Sequence, residues 1–196
     1  PSQDLADRKV QVFARYSRRC RHPEMQPNSK LCSRAHYVKL AREHSFLNVE
    51  WYNNTEDPAY VDEKTYLNAY KYLLNADGIG ASGRLAKLLT SGAIVMHQTS
   101  DLVQFFESSL VPGEHYIPVW TRSTDDVVDA FHEAENKSIA SLRAIANEAR
   151  SFVCSCLTFR NRIRYWRALL STVSRLSGSI PSRKDRPSLT KITTVY

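Results

Sequence analysis

The sequence from residue 69 to residue 89 is AYKYLLNADGIGASGRLAKLL, and it predicts a strand, a loop and a helix in succession. Residues 70–74 are aromatic and apolar, which is typical of a buried strand. An aspartate and two glycines within residues 75–81 indicate a turn. We expect Ser82 to begin a helix whose three leucines share one face while its basic residues point elsewhere. The stretch therefore predicts one strand–loop–helix unit of an α/β fold.

This unit has the layout that binds phosphate groups in many proteins. The N–H groups of a helix's first turn have no partner within the helix, and the helix dipole is positive there. Glycines before the helix let the backbone approach a ligand closely. Arg84, which we expect in the first turn, can offer two parallel donors to phosphate oxygens. The residues therefore predict a nucleotide or nucleotide-sugar site.

Strands and helices alternate along the chain up to about residue 135. The predicted strands, besides 70–74, are residues 10–15, 46–51, 93–96 and 115–120, and the predicted helices are 33–44, 64–68, 101–110 and 126–134. Ser33 is the expected N-cap of the first helix. This alternation predicts a Rossmann-like, mainly parallel sheet flanked by helices. Ligands of such sheets bind at the carboxyl ends of the strands, where we expect His97, the glycine loop and Trp120 to meet.

The pattern becomes all-helical from residue 136. The spacing of apolar residues predicts two long helices within residues 136–176, and the arginines of residues 160–167 are expected on the solvated side of the second. Residues 177–196 are rich in Ser, Pro, Lys and Arg, which predicts a flexible basic tail. We therefore expect one nucleotide-sugar-binding domain over residues 1–176, with the helices 136–176 as its end.

Composition and charge narrow the possible partners. The 196 residues make one domain of ordinary size, or one half of a larger two-domain enzyme, and 42% hydrophobic residues are enough for a core. The net charge of +7 and the pI near 9.3 favour anionic partners. The basic residues are spread along the chain without a nucleic-acid motif, so we expect no nucleic-acid partner. No stretch is long enough to span a bilayer.

The four cysteines fall into two pairs. Cys20 and Cys32 flank a polar loop and are candidates for a disulfide. Together with His22 and His36 they also have the residue types of a zinc site, an alternative that the sequence leaves open but favours less. The second pair, residues 154 and 156, lies two apart in a predicted helix, so these two side chains point away from each other and do not pair.

Residues 78–83, GIGASG, match the G-x-G-x-x-G pattern of dinucleotide sites literally. Such a site also needs an acidic residue near the end of the next strand, about 20 residues further on. This sequence has His97 and Gln98 there. An NAD-binding domain is therefore a less favoured alternative, and a tight turn without a ligand is another.

A longer pattern surrounds the loop. Residues 71–119, KYLLNADGIGASGRLAKLLTSGAIVMHQTSDLVQFFESSLVPGEHYIPV, resemble the C-terminal motif block of glycosyltransferase family 90, which includes Rumi-type protein O-glucosyltransferases and fungal capsule-associated xylosyltransferase-like proteins. Residues 163–176, IRYWRALLSTVSRL, resemble the closing helix of that family. Residues 13–18, FARYSR, resemble its aromatic-Arg-Gly-Ser-Arg stretch, with Tyr16 in place of the glycine. Gln104 stands where the family has an acidic residue.

The resemblance implies the C-terminal, donor-binding half of a GT-B glycosyltransferase. Such an enzyme transfers glucose or xylose from a UDP-sugar to a protein or glycan hydroxyl with inversion, and requires no metal or other cofactor. Its catalytic aspartate lies in an N-terminal half, and only twelve residues precede Phe13. We therefore expect this chain to be either a fragment or a natural short form without that half, with any membrane association made through the missing N-terminal segment. The family implies the endoplasmic reticulum or Golgi lumen, and the glycosylation sequons at Asn53 and Asn136 fit a secretory protein.

The resemblance also implies which residues hold the donor. Arg18 and Arg84 are expected to stabilise the departing diphosphate, since no metal does so. Asp77 is expected to order the loop or to contact the ligand. The predicted donor-binding residues are Arg15, Ser17, Arg18, Asp77, Gly78, Gly80, Ser82, Arg84 and His97. We assign no catalytic base, because Asp4 and Asp7 lie too close to the first strand. A non-catalytic nucleotide- or polyanion-binding module of the same fold is the alternative function.

Overall fold

The structure is a computed structural model that describes residues 3–18 and 32–177. The chain divides into two compact units, Pro1–Ser155 and Cys156–Tyr196. The strands are β1 (Lys9–Tyr16), β2 (Leu47–Trp51), β3 (Tyr70–Asn75), β4 (Ile94–Gln98) and β5 (Ile117–Val119). The helices are α1 (Ser33–Leu40), α2 (Glu63–Ala69), α3 (Leu85–Leu89), α4 (Val127–Glu135), α5 (Ile139–Cys156) and α6 (Phe159–Ser177).

The first unit is built on one five-stranded sheet in the order β2-β1-β3-β4-β5. Every neighbouring pair is parallel, with Val12 opposite both Leu47 and Tyr72, and Leu73 opposite Val95. The predicted Rossmann-like parallel sheet is therefore confirmed. The strand order reverses between β1 and β3, and such a switch point opens a crevice at the carboxyl ends of the two strands.

The centre of the sheet is covered on both faces. Every residue of β3 and of β4 is buried, which is why both strands have continuous apolar or aromatic runs instead of alternating ones. On one face, Phe131 of α4 stacks on Phe46 with ring centroids 4.2 Å apart. On the other, Phe13 stacks on Tyr70, also at 4.2 Å. Aromatic rings therefore pack against both faces of the sheet.

Two predicted helix starts differ from the structure. The helix after the glycine loop begins at Leu85 and not at Ser82. The Ser82 hydroxyl donates to Asn75 and its N–H donates to Asp77, so both groups bind the loop instead of capping a helix. The sulfur of Cys32 accepts from a backbone N–H and is the N-cap of α1, where Ser33 was expected, and α1 ends at Leu40 before the predicted residue 44.

The prediction of a helix over residues 101–110 was wrong. Only a 3₁₀ turn, Glu107–Ser109, forms there. The Ser100 hydroxyl accepts from the Leu102 N–H at 2.9 Å, and such local side-chain bonds compete with helix formation. β5 is also shorter than predicted, because Trp120 has φ 63° and leaves the strand conformation.

Asp126 holds the chain in that unusual turn. Its carboxylate accepts from the N–H groups of Trp120, Thr121 and Arg122. Burial opposes ionisation, but these backbone bonds outweigh it and lower the pKa of Asp126. The left-handed conformation of Trp120 is therefore supported by a well-bonded carboxylate.

The two C-terminal helices form as predicted. α5 buries Leu142, Ile145, Ala146 and Ala149 in the first unit, following the predicted apolar spacing. α6 lies in the second unit, although we predicted a single domain to residue 176; it is amphipathic and exposes its apolar residues, such as Trp166, as well as its arginines. In the described part of the chain no helix is both long and apolar enough to cross a membrane.

The cysteine predictions have different outcomes. Cys32 is disulfide-bonded. Cys154 and Cys156 are free and exposed, and they do not pair with each other, as their spacing predicted. Cys20 and His22 lie outside the described residues, as do residues 178–196 of the predicted tail 177–196, whose first residue, Ser177, ends α6. His36, the remaining member of the zinc alternative, is hydrogen-bonded to Asp125.

Candidate functional site

A cavity of about 370 Å³ opens at the switch point between the carboxyl ends of β1 and β3. We call it the glycine-loop cavity, after the glycine loop, residues 76–84, that forms one wall. It is lined by Arg15, Tyr16, Ser17, Arg34, Tyr52, Gly78, Ile79, Gly80, Ala81, Ser82, Gly83 and Arg84. The residues predicted from the strand–loop–helix unit therefore share a cavity with the end of β1.

Asp77 orders the glycine loop, which is one of the two roles expected for it from the sequence. Its carboxylate accepts from the Ser82 N–H at 2.9 Å and from the Ser100 hydroxyl. Its own N–H donates to the Gln98 side chain at 3.0 Å. From the other side, the Gln104 amide donates to the Ser82 carbonyl at 2.8 Å. The buried side chains of Asp77 and Ser82 thus fix the loop's shape.

The glycines of the loop have different surroundings. A Cβ on Gly80 or Gly83 would meet nothing within 4 Å, so these residues face open space. A Cβ on Gly78 would lie 2.9 Å from the guanidinium of Arg34. Gly78 is therefore needed so that an arginine can pack closely on the loop.

Two arginines concentrate positive charge in the cavity. Arg84 donates from Nη1 to the Arg15 carbonyl at 2.9 Å, while its Nη2 is buried and has no hydrogen-bond partner within residues 3–18 and 32–177. Arg34 donates from Nε and Nη2 to the Ala76 carbonyl at 3.3 and 3.2 Å. Burial lowers the pKa of Arg34, and the positive charge of Arg84 lowers it further. Arg84 is half-buried and lines the cavity, so its guanidinium is a candidate ligand contact.

Sequence reasoning missed Arg34. One signal was present: Arg34 lies in the first turn of α1, where a positive side chain opposes the helix dipole. A residue that contradicts a local preference often has a functional reason.

Arg15 and Arg18 are placed apart from this charge cluster. The Arg15 guanidinium bonds the Ala59 carbonyl and both the carbonyl and the side chain of Asn48, and it lies 3.7 Å from Glu50. Only the remainder of Arg15 is left to line the cavity. Arg18 lines an adjoining cavity together with Ser17, which borders both.

His97 lies in a separate cavity of about 410 Å³ beyond the end of β4. We call it the His97 cavity. The Asn75 amide donates to His97 Nδ1 at 3.0 Å, and Nε2 lies 3.9 Å from the Glu107 carboxylate. Burial lowers the pKa of His97 and raises that of Glu107. Apolar side chains, including Val103, Leu110 and Tyr116, complete its walls.

The two cavities are neighbours. The hydrogen bond from Gln104 to Ser82 joins a residue of the His97 cavity to one of the glycine-loop cavity. Glu107, which sequence reasoning missed, lies three residues after Gln104, the position where the resembling pattern has an acid. Trp120 was expected here, but its ring packs against His36 and Tyr37 of α1.

The described residues contain no group of three or more His, Cys, Asp or Glu side chains that could hold a metal ion. The charged groups that line the glycine-loop cavity are cationic. Such a surface can bind an anion through guanidinium and backbone N–H groups.

These features define the class of protein: a Rossmann-like α/β domain with a cationic glycine loop at its topological switch point. The chain belongs to glycosyl transferase family 90, whose profile matches residues 19–194. The resemblance drawn from residues 71–119 is therefore confirmed.

Two relatives with similar sequences are both named O-glucosyltransferases. The chain is 35% identical over 117 residues to protein O-glucosyltransferase 1 of Rattus norvegicus, covering 59% of this chain and 29% of that protein. It is 32% identical over 137 residues to the O-glucosyltransferase rumi homolog of Aedes aegypti, covering 62% of this chain and 34% of that protein. The chain thus spans about a third of these relatives' length. Among solved structures, sucrose-phosphate synthase from Thermosynechococcus elongatus aligns with 75% of this chain and 37% of its own, at a TM-score of 0.46 and 13% identity.

Proposed function

We propose that this chain is the donor-binding half of a GT-B glycosyltransferase that transfers glucose or xylose from a UDP-sugar to a protein or glycan hydroxyl with inversion. The observation that carries the proposal is the glycine-loop cavity, where Arg34 and Arg84 line one space together with the open positions of Gly80 and Gly83. A diphosphate supplies acceptor oxygens for guanidinium and backbone N–H groups.

Charge supports a diphosphate at this position. As the bond to the sugar breaks, negative charge develops on the UDP leaving group, and fixed positive groups stabilise that charge. Arg34 and Arg84 lie beside the loop and can fill this role without a metal ion, with Ser17 and Arg18 at the rim. Loop glycines 80 and 83 leave open space in which phosphate oxygens can approach the backbone.

The His97 cavity fits the nucleoside part of the same donor. Its apolar walls suit the faces of a base, and the Glu107 carboxylate can accept hydrogen bonds from hydroxyl groups. His97 is kept neutral by burial, so it adds no charge next to the sugar. In this arrangement the Gln104–Ser82 bond lies between the diphosphate and the nucleoside.

Inversion requires a base on the far side of the sugar from the diphosphate. Asp4 cannot act as this base, because it precedes β1 while the cavity lies beyond the strand's other end. Its carboxylate also binds Arg143 at 2.6 Å and the Ala6 N–H. We therefore assign no catalytic base within the described residues.

The names of the relatives suggest which sugar and which acceptor to test first. Both are O-glucosyltransferases, and one name specifies a protein as the acceptor. We propose glucose as the first sugar to test and a protein hydroxyl as the first acceptor. The sequon residues Asn53 and Asn136 are exposed, which supports a proposed location in the secretory pathway.

The direct experiment is calorimetric titration of the chain with UDP in the presence of EDTA, with NAD as the comparison ligand. We expect saturable UDP binding and no NAD binding. Arg84→Ala should weaken UDP binding by about tenfold to a hundredfold, the usual cost of a charge-assisted hydrogen bond. Arg122→Ala is the matched control, since Arg122 is exposed and pairs with Glu133. Equal binding by NAD, or a folded wild-type chain without UDP binding, would contradict the proposal.

A further inference from the structure

Tyr16 occupies a position that the family-like stretch of residues 13–18 gives to glycine. It is the last residue of β1, its side chain is almost fully buried, and it lies in the wall of the glycine-loop cavity. A glycine there would leave the space beneath both cavity arginines empty. With tyrosine in place of glycine, a ring lies beneath the guanidiniums of Arg34 and Arg84.

The ring of Tyr16 contacts both arginines. The guanidinium carbon of Arg34 lies 5.0 Å from the ring centroid, and that of Arg84 lies 5.2 Å from it. The hydroxyl donates to the Leu74 carbonyl at 3.1 Å, which fixes the ring to β3. Burial raises the pKa of Tyr16 to about 12, so the ring stays neutral and attracts cations through its π face.

The like charges of Arg34 and Arg84 repel each other, and each could swing toward solvent to reduce the repulsion. The shared ring opposes that movement, because both guanidiniums gain a cation–π contact by staying. The Ala76 and Arg15 carbonyls hold the same two groups from other directions. The result is a fixed pair of cations in the wall of the glycine-loop cavity.

We propose that Tyr16 is a positioning residue of the anion site: its π face holds Arg34 and Arg84 in the geometry that binds the donor diphosphate. This inference rests on the proposed function of the cavity. It assigns a role to the residue in which this chain departs from the family-like stretch, and it predicts that the electron density of the ring, beyond its volume, sets the affinity for diphosphate.

The test uses the full chain and inorganic pyrophosphate as the probe. Tyr16→Phe keeps the π face and loses the bond to Leu74, so it should lower the melting temperature and change pyrophosphate affinity less than about twofold. Tyr16→Leu keeps an apolar side chain without a π face and should weaken pyrophosphate and UDP by the same factor, about tenfold. A purely structural role would make affinity follow the melting temperature in both variants.

A second series covers the case in which Tyr16→Leu does not fold. Phenylalanine with one, three or five fluorine atoms at position 16 keeps the ring shape while reducing the negative charge of its face. We expect pyrophosphate affinity to fall stepwise with fluorine number. If pyrophosphate affinity stays constant across this series while the wild-type chain still binds, the role of Tyr16 is overturned and the proposed function is not. A wild-type chain that binds neither pyrophosphate nor UDP would overturn the proposed function as well.

Discussion

The amino ends of the strands form one edge of the sheet, which we call the amino edge, and their carboxyl ends form the opposite, carboxyl edge. Both edges contain basic side chains, but these side chains have different partners. At the amino edge, Arg8 is 4% exposed and donates to the carbonyls of Gln3, Leu67 and Ser91. Lys71 lies 2.7 Å from Glu135, which also accepts from Tyr72. Arg8 and Lys71 are thus bonded within the protein.

At the carboxyl edge, Arg34 and Arg84 of the glycine-loop cavity are held by an aromatic ring and by carbonyls. No ion pair within the described residues links Arg84 to a carboxylate, and one of its nitrogens is buried without a partner. Burying a cation without a counter-charge costs free energy. The contrast lies in how the donors are satisfied: Arg8 and Lys71 are bonded within the protein, whereas we propose that an anion completes the bonding of Arg84.

The largest expected effect concerns Arg8 at the amino edge. Arg8→Ala removes the donor for three carbonyls at once, and we expect unfolding free energy to fall by about 3–5 kcal/mol. Urea unfolding followed by circular dichroism measures this loss, and pyrophosphate affinity should stay unchanged. Arg143→Ala is the control, because its ion pair with Asp4 is exposed to solvent and should contribute little to stability. A small loss for Arg8→Ala would show that the amino edge does not depend on these bonds.

The next effect separates the two cavities of the carboxyl edge. Glu107→Gln removes a negative charge from the His97 cavity but leaves the arginines in place. We expect UDP affinity to fall about tenfold, or about 1.4 kcal/mol, while pyrophosphate affinity is unchanged. Calorimetry with both ligands measures the difference, and the exposed Glu114→Gln is the matched control. An equal loss for both ligands would mean that Glu107 acts on the diphosphate or on the fold.

The smallest effect is a pH dependence from His97. Burial lowers the pKa of His97 below its ordinary 6.5, so the unfolded chain binds a proton that the folded chain does not. Stability is therefore fully present above pH 6.5 and falls as the pH drops through the window below it, with a slope of at most about 1.4 kcal/mol per pH unit. The raised pKa of Glu107 has the opposite sign, since its folded form keeps a proton longer.

The measurement is urea unfolding of wild type and His97→Gln at several pH values. The difference between their slopes isolates the histidine from Glu107. The variant should show the smaller loss of stability on acidification. Parallel curves would show that His97 titrates alike in the folded and unfolded chain.

The sequence was sufficient for the features that depend on local pattern. The apolar run of β3, the helix α4 and the order of strands and helices follow from periodicity and turn chemistry. The family followed from one block of motifs in the correct order, residues 71–119. The position of the glycine loop at the carboxyl edge followed from the topology that this alternation requires.

The sequence was not sufficient for side-chain partners that tertiary contacts decide. Arg15 was expected at the donor, but its guanidinium bonds Asn48 of β2, a contact that appears only when the strands pair. Arg34 meets the loop through Gly78 and Ala76, far away in sequence. α3 starts late because Ser82 is hydrogen-bonded to Asp77 and Asn75. Helix propensities do not take such bonds into account.

The central claim is that the glycine-loop cavity holds the diphosphate of a sugar nucleotide. The most direct measurement is a ¹H–¹⁵N NMR titration with UDP that follows the backbone amides and the arginine Nε–H signals. We predict the largest shifts at Gly78, Gly80 and Gly83 and at the Nε–H of Arg84, with Arg8 unchanged. Shifts confined to other surfaces, or a folded chain whose glycine-loop signals stay constant at saturating UDP, would contradict the account.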